Sequence, residues 1–225
     1  MLTKNLKKPI GERIREILIG VPNPTIFELG VHWGEDTRRI MNLCESAPNY
    51  HGFEPDPRNI AIIQDRMINT LPYNMTLVEG AVGSKNEVLD FHLSDGNHPT
   101  NGNQMTGANS IRPPKDVLKR HAWIKFNKKI KVQCFTLDEY CKNNNIHHID
   151  FMWCDIQGAE YDMILGAMDI LSKTKYTTLE FSDVELYEGQ KTLNQYMDLL
   201  RKTGDWEIVD TYQIDVLIQN KSLLK

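Results

Sequence analysis

The sequence predicts a doubly wound α/β fold: a mainly parallel, seven-stranded sheet with helices on both faces and an antiparallel C-terminal hairpin. Three observations predict it. Short apolar runs alternate with amphipathic stretches through most of the chain, the alternation that builds a parallel sheet. Two of these runs, Thr25–Leu29 and Ile149–Cys154, lead through glycine turns into helix-forming segments. Two apolar runs at the end of the chain, 206–211 and 214–219, lie close enough together to form a hairpin across Tyr212-Gln213.

The 225 residues suit one domain with a full core. Residues 1–24 supply a leading helix, and 94–131 form an insertion that combines a lid or loop with a basic segment. Hydrophobic residues make up 40% and the formal charge is −4, which argues against wholesale coating of nucleic acid. No apolar run approaches the ~20 residues of a membrane span. The basic N-terminus, Met1 to Lys8, has no apolar run directly after it, so no secretory signal is expected. Cys44, Cys134, Cys141 and Cys154 show neither C-x-x-C nor zinc spacing and read as reduced thiols of a cytoplasmic protein.

Taken in order, residues 9–18 place Ile10, Ile14, Ile17 and Leu18 on one helical face, and Pro22 and Pro24 end that helix before strand 25–29. Helix 35–46 begins with Glu35 and Asp36, which suit the positive end of its dipole. Strand 50–54 stops at Pro55-Asp56-Pro57, and helix 57–70 follows with Ile60, Ile63, Met67 and Ile68 inward. A third strand runs over 75–82, with 88–93 as its expected hairpin partner.

Residues 94–110 lack periodicity and read either as a lid or binding loop or as a disordered excursion. Asn109 and Ser110, at its end, are candidates for substrate contact. Residues 111–131 carry eight Lys/Arg against the single acid Asp116. With Trp123 and Phe126 among them they could bind an anionic partner, although a solvated helix face with the aromatics tucked inward is the plainer expectation. A strand at 130–135 and helix 137–144 follow. His147-His148 read as a polar turn, because adjacent histidines diverge and no third ligand is near at metal spacing. Strand 149–155, helix 159–171, strand 176–181 and helix 190–202 complete the alternation.

In such sheets ligands bind beyond the carboxyl ends of the strands. Four strands end there in acids: Glu28, Glu54, Asp155 and Glu180. Gly30 and Gly34 bound a turn that lets backbone approach a ligand, and Glu54, twenty residues past Gly34, is placed to accept ribose hydroxyls. The turn lacks the G-x-G and third glycine of dinucleotide sites, so a nucleoside ligand without phosphates, such as S-adenosylmethionine, fits better. With the antiparallel last hairpin, the topology is that of class I, Rossmann-like methyltransferases.

Glu28-x-Gly30-x-x-x-Gly34-x-x-Thr37, Phe53-Glu54-Pro55, Glu79-Gly80-Ala81-Val82-Gly83 and Asp155-Ile-Gln-Gly-Ala-Glu160 together resemble the FkbM family of S-adenosylmethionine-dependent methyltransferases. The resemblance covers about residues 25–182. It implies O-methylation of a sugar, glycan or natural-product hydroxyl. It also implies a cofactor site of Glu28, Gly30, Gly34, Thr37, Glu54, Gly80, Ala81 and Asp155, with Gly80 and Ala81 along the adenine. Two departures stand out: His32 where the family usually has Asn, and Gln157 where it usually has Glu.

An alcohol attacking the sulfonium methyl group needs a base. Asp155 and Glu180 are the leading candidates, with Glu160 and His32 behind them. Asp155 and Glu180 could instead hold a divalent cation that acidifies a diol. The alternatives are a nucleic-acid methyltransferase using residues 111–131 as its footprint and a cofactor-binding homologue without activity.

Overall fold

The computed structural model describes residues 8–70, 75–100 and 102–224; the side chains of residues 67–70, Met67 and Ile68 among them, also lie outside what it describes. The chain runs α1 (Ile10–Leu18), β1 (Thr25–Leu29), α2 (Glu35–Met41), β2 (Asn49–Glu54), α3 (Pro57–Thr70), β3 (Met75–Glu79), β4 (Ala81–Val82) and β5 (Glu87–Asp95). It continues through α4 (Val117–Arg120), β6 (Lys125–Phe135), α5 (Leu137–Asn143), β7 (Ile149–Cys154), α6 (Glu160–Leu165) and α7 (Met168–Leu171). The last elements are β8 (Thr174–Glu180), α8 (Leu193–Leu200), β9 (Trp206–Thr211) and β10 (Asp215–Asn220).

The main sheet has seven strands in the order β3-β2-β1-β7-β8-β10-β9. Its pairs are parallel from β3 to β8, and β10 runs antiparallel to both β8 and β9. This is the expected sheet with its antiparallel hairpin, and the arrangement is that of class I methyltransferases. The central strands are buried on both faces, so they read as unbroken apolar runs. Alternation divides them between two cores. Phe27, Leu29, Met152 and Cys154 face the cluster that contains residues of α5, α6, α7 and α8. Ile26, Phe151 and Trp153 face the one that contains Ile14, Leu18, Ile40 and Ile63 of the first three helices.

The strand expected over 75–82 is broken. At Gly80 the chain leaves the main sheet, and β4 joins a second sheet, β4-β6-β5. A side chain at Gly80 would sit 2.5 Å from the Phe135 ring and 2.7 Å from the Gln133 carbonyl, so only glycine lets the two sheets meet here. β5 pairs antiparallel with β6 rather than with 75–82. The basic segment is likewise no helix face: beyond short α4 it is strand β6, with Lys125, Lys129 and Lys131 exposed and Val132 and Cys134 inward. Its charge is partly met across the ladder, where Lys131 pairs with Asp90 at 2.9 Å. Helix 159–171 divides into α6 and α7 at Gly166, where a Cβ would lie 2.1 Å from the Gly83 carbonyl.

The chain order moves outward from β1 through β2 to β3 and then returns to β7 on the other side of β1. That reversal opens a crevice at the carboxyl ends of β1 and β7. All four cysteines are free. Among the described residues no helix is long and apolar enough to cross a membrane.

Candidate active site

Gly30 sits at the crevice. Its φ is +87°, and a Cβ there would lie 2.0 Å from the Asp155 carbonyl oxygen, so the turn after β1 touches the backbone after β7. Each of the two turns also carries a non-glycine residue in the left-handed region: His32 and Gln157, both at φ 53°. Such residues are strained and persist only where contacts hold them. The His32 amide donates to Glu54 Oε2 at 2.8 Å, and its ring stacks on Trp33 at 4.5 Å. A ring nitrogen of His32 also lies 3.0 Å from the Thr106 hydroxyl.

Glu54 ties this turn to the end of β2. Its other oxygen accepts from the Asp56 amide at 2.9 Å and from the Asn59 side chain at 3.2 Å. Burial pushes its carboxyl up to about 7 despite these donors.

The second turn gathers three acids. The Gln157 amide nitrogen donates to Asp155 Oδ1 at 2.6 Å and to Glu180 Oε2 at 2.8 Å. Burial, then the charges of Asp155 and Glu160, hold the Glu180 carboxyl well above the ordinary carboxylate range. Glu160 is fully buried and pushed up to about 7, chiefly by burial. It takes the hydroxyl of Tyr196 at 3.2 Å and the Ile156 amide at 3.3 Å.

A cavity of ≈ 300 Å³ occupies the crevice. Gly30, Val31 and His32 form one wall, with Asp36 and Glu54 beside them. Asp155, Ile156 and Gln157 form another. Gly80, Ala81, Val82, Phe91 and Ile111 give an apolar end, and Thr106, Gly107 and Asn109 come from the aperiodic loop. That loop is therefore built into the wall. The Asn109 side-chain Oδ1 accepts from the Ser94 backbone amide at 2.7 Å, and its Nδ2 donates to Asp56 Oδ2 at 2.7 Å.

Other expected residues lie elsewhere. Glu28 and Thr37 do not line the cavity. Glu28 is fully buried, accepting from the Thr37 hydroxyl and from Tyr50 at 2.7 Å, and burial pushes it up to about 8. Strand alternation explains this: Glu28 lies between Phe27 and Leu29 and so faces away from their core. Gly34 caps α2 at φ 80° without reaching the cavity wall. Ser110 is also behind the wall, donating to the Gln157 carbonyl at 2.8 Å. Neither Glu160 nor Glu180 lines the cavity: Glu180 is joined to Asp155 through Gln157, and Glu160 accepts from the backbone amide of the wall residue Ile156. Among the described residues no three His, Cys, Asp or Glu are grouped to hold a metal ion. None of the eight cations of 111–131 lines the cavity.

No local sequence pattern marks Tyr187. It is almost fully buried, and its hydroxyl lies 2.8 Å from the Ala108 carbonyl and 3.0 Å from Gln157 Oε1.

A cavity with an acidic flank and an apolar end, at the switch point of a sheet with an antiparallel last hairpin, is the setting in which the comparison with known proteins decides the matter. Residues 19–205 match the family described as the methyltransferase FkbM domain. The chain belongs to the FkbM methyltransferase family. It is 37% identical over 210 residues to 2-O-methyltransferase NoeI of Sinorhizobium fredii (strain NBRC 101917 / NGR234), covering 92% of this chain and 83% of that protein. It also shares its fold with the crystal structure of methyltransferase FkbM from Methylobacillus flagellatus KT, at a TM-score of 0.57 and 14% identity. That match covers 95% of this chain and 48% of the other, so the present chain spans about half of that FkbM methyltransferase. As a family member the chain is an S-adenosylmethionine-dependent O-methyltransferase.

Proposed function

We propose that this FkbM methyltransferase methylates a hydroxyl of a sugar or glycan, with Asp155 as the base that takes the hydroxyl proton. The observation that carries the reading is the Gln157 bridge. It holds Asp155, a wall residue of the cavity, beside Glu180, whose carboxyl burial and the neighbouring acids push well above the ordinary carboxylate range. A relative named for 2-O-methylation supports oxygen at a defined position as the acceptor atom.

The cavity's side chains fit the cofactor. Glu54, at the end of β2, is placed to take ribose hydroxyls, and Val82, Phe91 and Ile111 offer an apolar slot to adenine. Gly30 gives backbone access to the methionine part, and Asp36 adds negative charge to the cavity, which favours a cation. S-adenosylmethionine, when bound, supplies a methyl group on a sulfonium. The protein's task is then alignment of the acceptor oxygen and removal of its proton. Glu28 and Thr37 support the turn from the core side. His32, tied to Thr106 of the loop, serves to hold the loop against the turn rather than as the base.

A base reading is favoured over a cation site because the facing oxygens of Asp155 and Glu180 are already engaged by an amide N–H donor. The test is transfer of labelled methyl to a panel of glycosides, with and without a chelator. Transfer to sugar hydroxyls that survives EDTA is expected. Loss of turnover on EDTA, restored by magnesium or calcium, overturns the base reading in favour of the cation.

A further inference from the structure

We propose that Tyr187 is a positioning residue for methyl transfer: its hydroxyl fixes the orientation in which Gln157 presents its amide nitrogen to Asp155 and Glu180. The catalytic meaning of that orientation rests on the Asp155 base reading above.

Tyr187 comes from the connection between β8 and α8 and does not line the cavity. It meets the turn after β7 from behind. Its hydroxyl lies 3.0 Å from Gln157 Oε1 and 2.8 Å from the Ala108 carbonyl, so one proton serves two acceptors. Burial, then the charges of Glu180, Asp155 and Glu160, hold the phenol well above its ordinary range, so the hydroxyl stands as a donor. The ring also covers the turn: a Cβ at Gly158 would lie 3.0 Å from Tyr187 Cδ2. Gln157 is strained at φ 53° and keeps that conformation only under outside contacts. Tyr187 supplies one at the side-chain oxygen. A donor on the oxygen of an amide polarises its N–H groups and strengthens the bonds they make. Here those bonds run to Asp155 at 2.6 Å and to Glu180 at 2.8 Å.

The insertion that precedes β6 supplies the frame for this residue. The Lys115 and Val117 amides donate to the Leu186 carbonyl at 2.8 and 3.2 Å, and the Glu188 amide donates to the Pro113 carbonyl at 2.8 Å. Arg112 donates to the Glu188 carbonyl at 2.8 Å and pairs with Asp162 of α6 at 2.6 Å. Phe126 meets the Tyr187 ring edge-on at 6.5 Å between centroids. Tyr187 is thus fixed from both chain neighbours and ring, and its hydroxyl has little freedom to follow Gln157 elsewhere. Its second acceptor, Ala108, lies between the wall residues Gly107 and Asn109. The test must therefore separate an effect through Gln157 from one through the loop.

The experiment reads the Gln157 side-chain NH2 pair by nitrogen–proton NMR of the full chain saturated with S-adenosylhomocysteine, which needs no acceptor. In the parent the pair is expected downfield of exposed glutamine amides. Tyr187→Phe keeps the ring and should move the pair back toward them. An ordinary position in the parent, or no movement in the variant, overturns the proposal, and the parent measurement decides even if the variant does not fold. In methyl transfer to methyl β-D-glucoside, methyl α-D-mannoside and methyl β-D-galactoside, Tyr187→Phe should lower kcat about tenfold, the loss of one hydrogen bond. KM for S-adenosylmethionine should stay unchanged. The double variant with Gln157→Ala should be no slower than Gln157→Ala alone, since both act on one group. Losses that multiply, or a raised KM with kcat unchanged, place the effect in the Ala108 loop and overturn the proposal. Asp155→Asn keeps the two readings apart. Full turnover there removes the base whatever the Gln157 pair shows, whereas an inactive Asp155→Asn with an unmoved pair overturns the role of Tyr187 alone.

Discussion

Gln157 donates its amide nitrogen to Asp155 at 2.6 Å, and the same nitrogen reaches Glu180 at 2.8 Å. The side chain has only one workable orientation. Its NH2 group faces the two acids, and its oxygen faces the Tyr187 hydroxyl at 3.0 Å. Turned over, the amide oxygen would confront carboxylate oxygens. The backbone of the same residue accepts from Ser110 at the end of the cavity loop. Gln157 thus links that loop to Asp155 and Glu180.

Replacing Gln157 by Glu puts a third carboxyl where a donor now stands. The Asp155–Glu180 pair would lose its shared donor and gain a repulsive neighbour. A loss of about 10- to 100-fold in kcat is expected, from one charged hydrogen bond removed beside a buried acid, together with a shift of the acidic limb of the pH–rate profile to higher pH. An unchanged kcat and an unchanged profile would remove Gln157 from the mechanism.

Asp155→Asn keeps the shape and the contact distance but cannot accept a proton. Turnover should fall about 10²- to 10⁴-fold, the usual contribution of a general base. S-adenosylhomocysteine binding and the thermal midpoint should change little. Calorimetry and a single-turnover assay check this; a variant retaining full turnover moves the base elsewhere.

How much of this site could be read beforehand depended on distance along the chain. Gly30, His32 and Glu54 belong to local patterns, a turn after a strand and an acid at the next strand's end, and the structure brings them together. Gln157 was legible only as a missing carboxylate, because its value lies in partners such as Tyr187, thirty residues away. Glu28 was assigned by motif although period-2 alternation in β1 already turned it from Phe27 and Leu29. In 125–131 the density of lysine hid the same alternation, so a strand read as a helix face. At Gly80 the apolar run continues unbroken, and only the close approach of Phe135 explains why the chain changes sheet.

Glu54→Gln should separate binding from chemistry. The carboxylate now accepts two backbone N–H groups while facing the cavity. An amide substitutes a donor for one acceptor. Affinity for S-adenosylhomocysteine should drop about tenfold, with a smaller change in kcat at saturating cofactor. Titration calorimetry reads the first and steady-state kinetics the second; unaltered affinity would dismiss the ribose contact.

Gly30→Ala and Gly20→Ala form a matched pair. Both glycines have positive φ, +87° and +70°. A Cβ at Gly20 meets nothing within 4 Å, so only backbone strain of about 1 kcal/mol applies. At Gly30 the same methyl would overlap the Asp155 carbonyl at 2.0 Å, forcing β1 and β7 turns apart. The expected result is a stability loss of several-fold more than the Gly20 variant, on the order of 3 kcal/mol or above, with cofactor binding lost as well. Equal urea midpoints for the two would show that the turns yield freely.

Stability should fall as pH rises through the neutral range. Glu28 is held up to about 8, and Glu54 and Glu160 each to about 7, against an ordinary value of 4.5. Burial favours their neutral forms in each case. Between pH 4.5 and 8 the folded chain therefore holds protons that the unfolded chain has released. By linkage, stability is then greatest near and below pH 4.5 as far as these groups decide it, and it declines as pH passes through the folded values. Each group contributes at most about 1.4 kcal/mol per pH unit while it is titrating in this way. Glu28→Gln copies the neutral acid, keeping an oxygen for Thr37 and Tyr50. It should flatten the decline and leave the variant more stable than the parent at pH 8. Urea unfolding at several pH values between 5 and 8 measures the slope, and a slope identical in parent and variant would show that Glu28 carries its charge in the folded core.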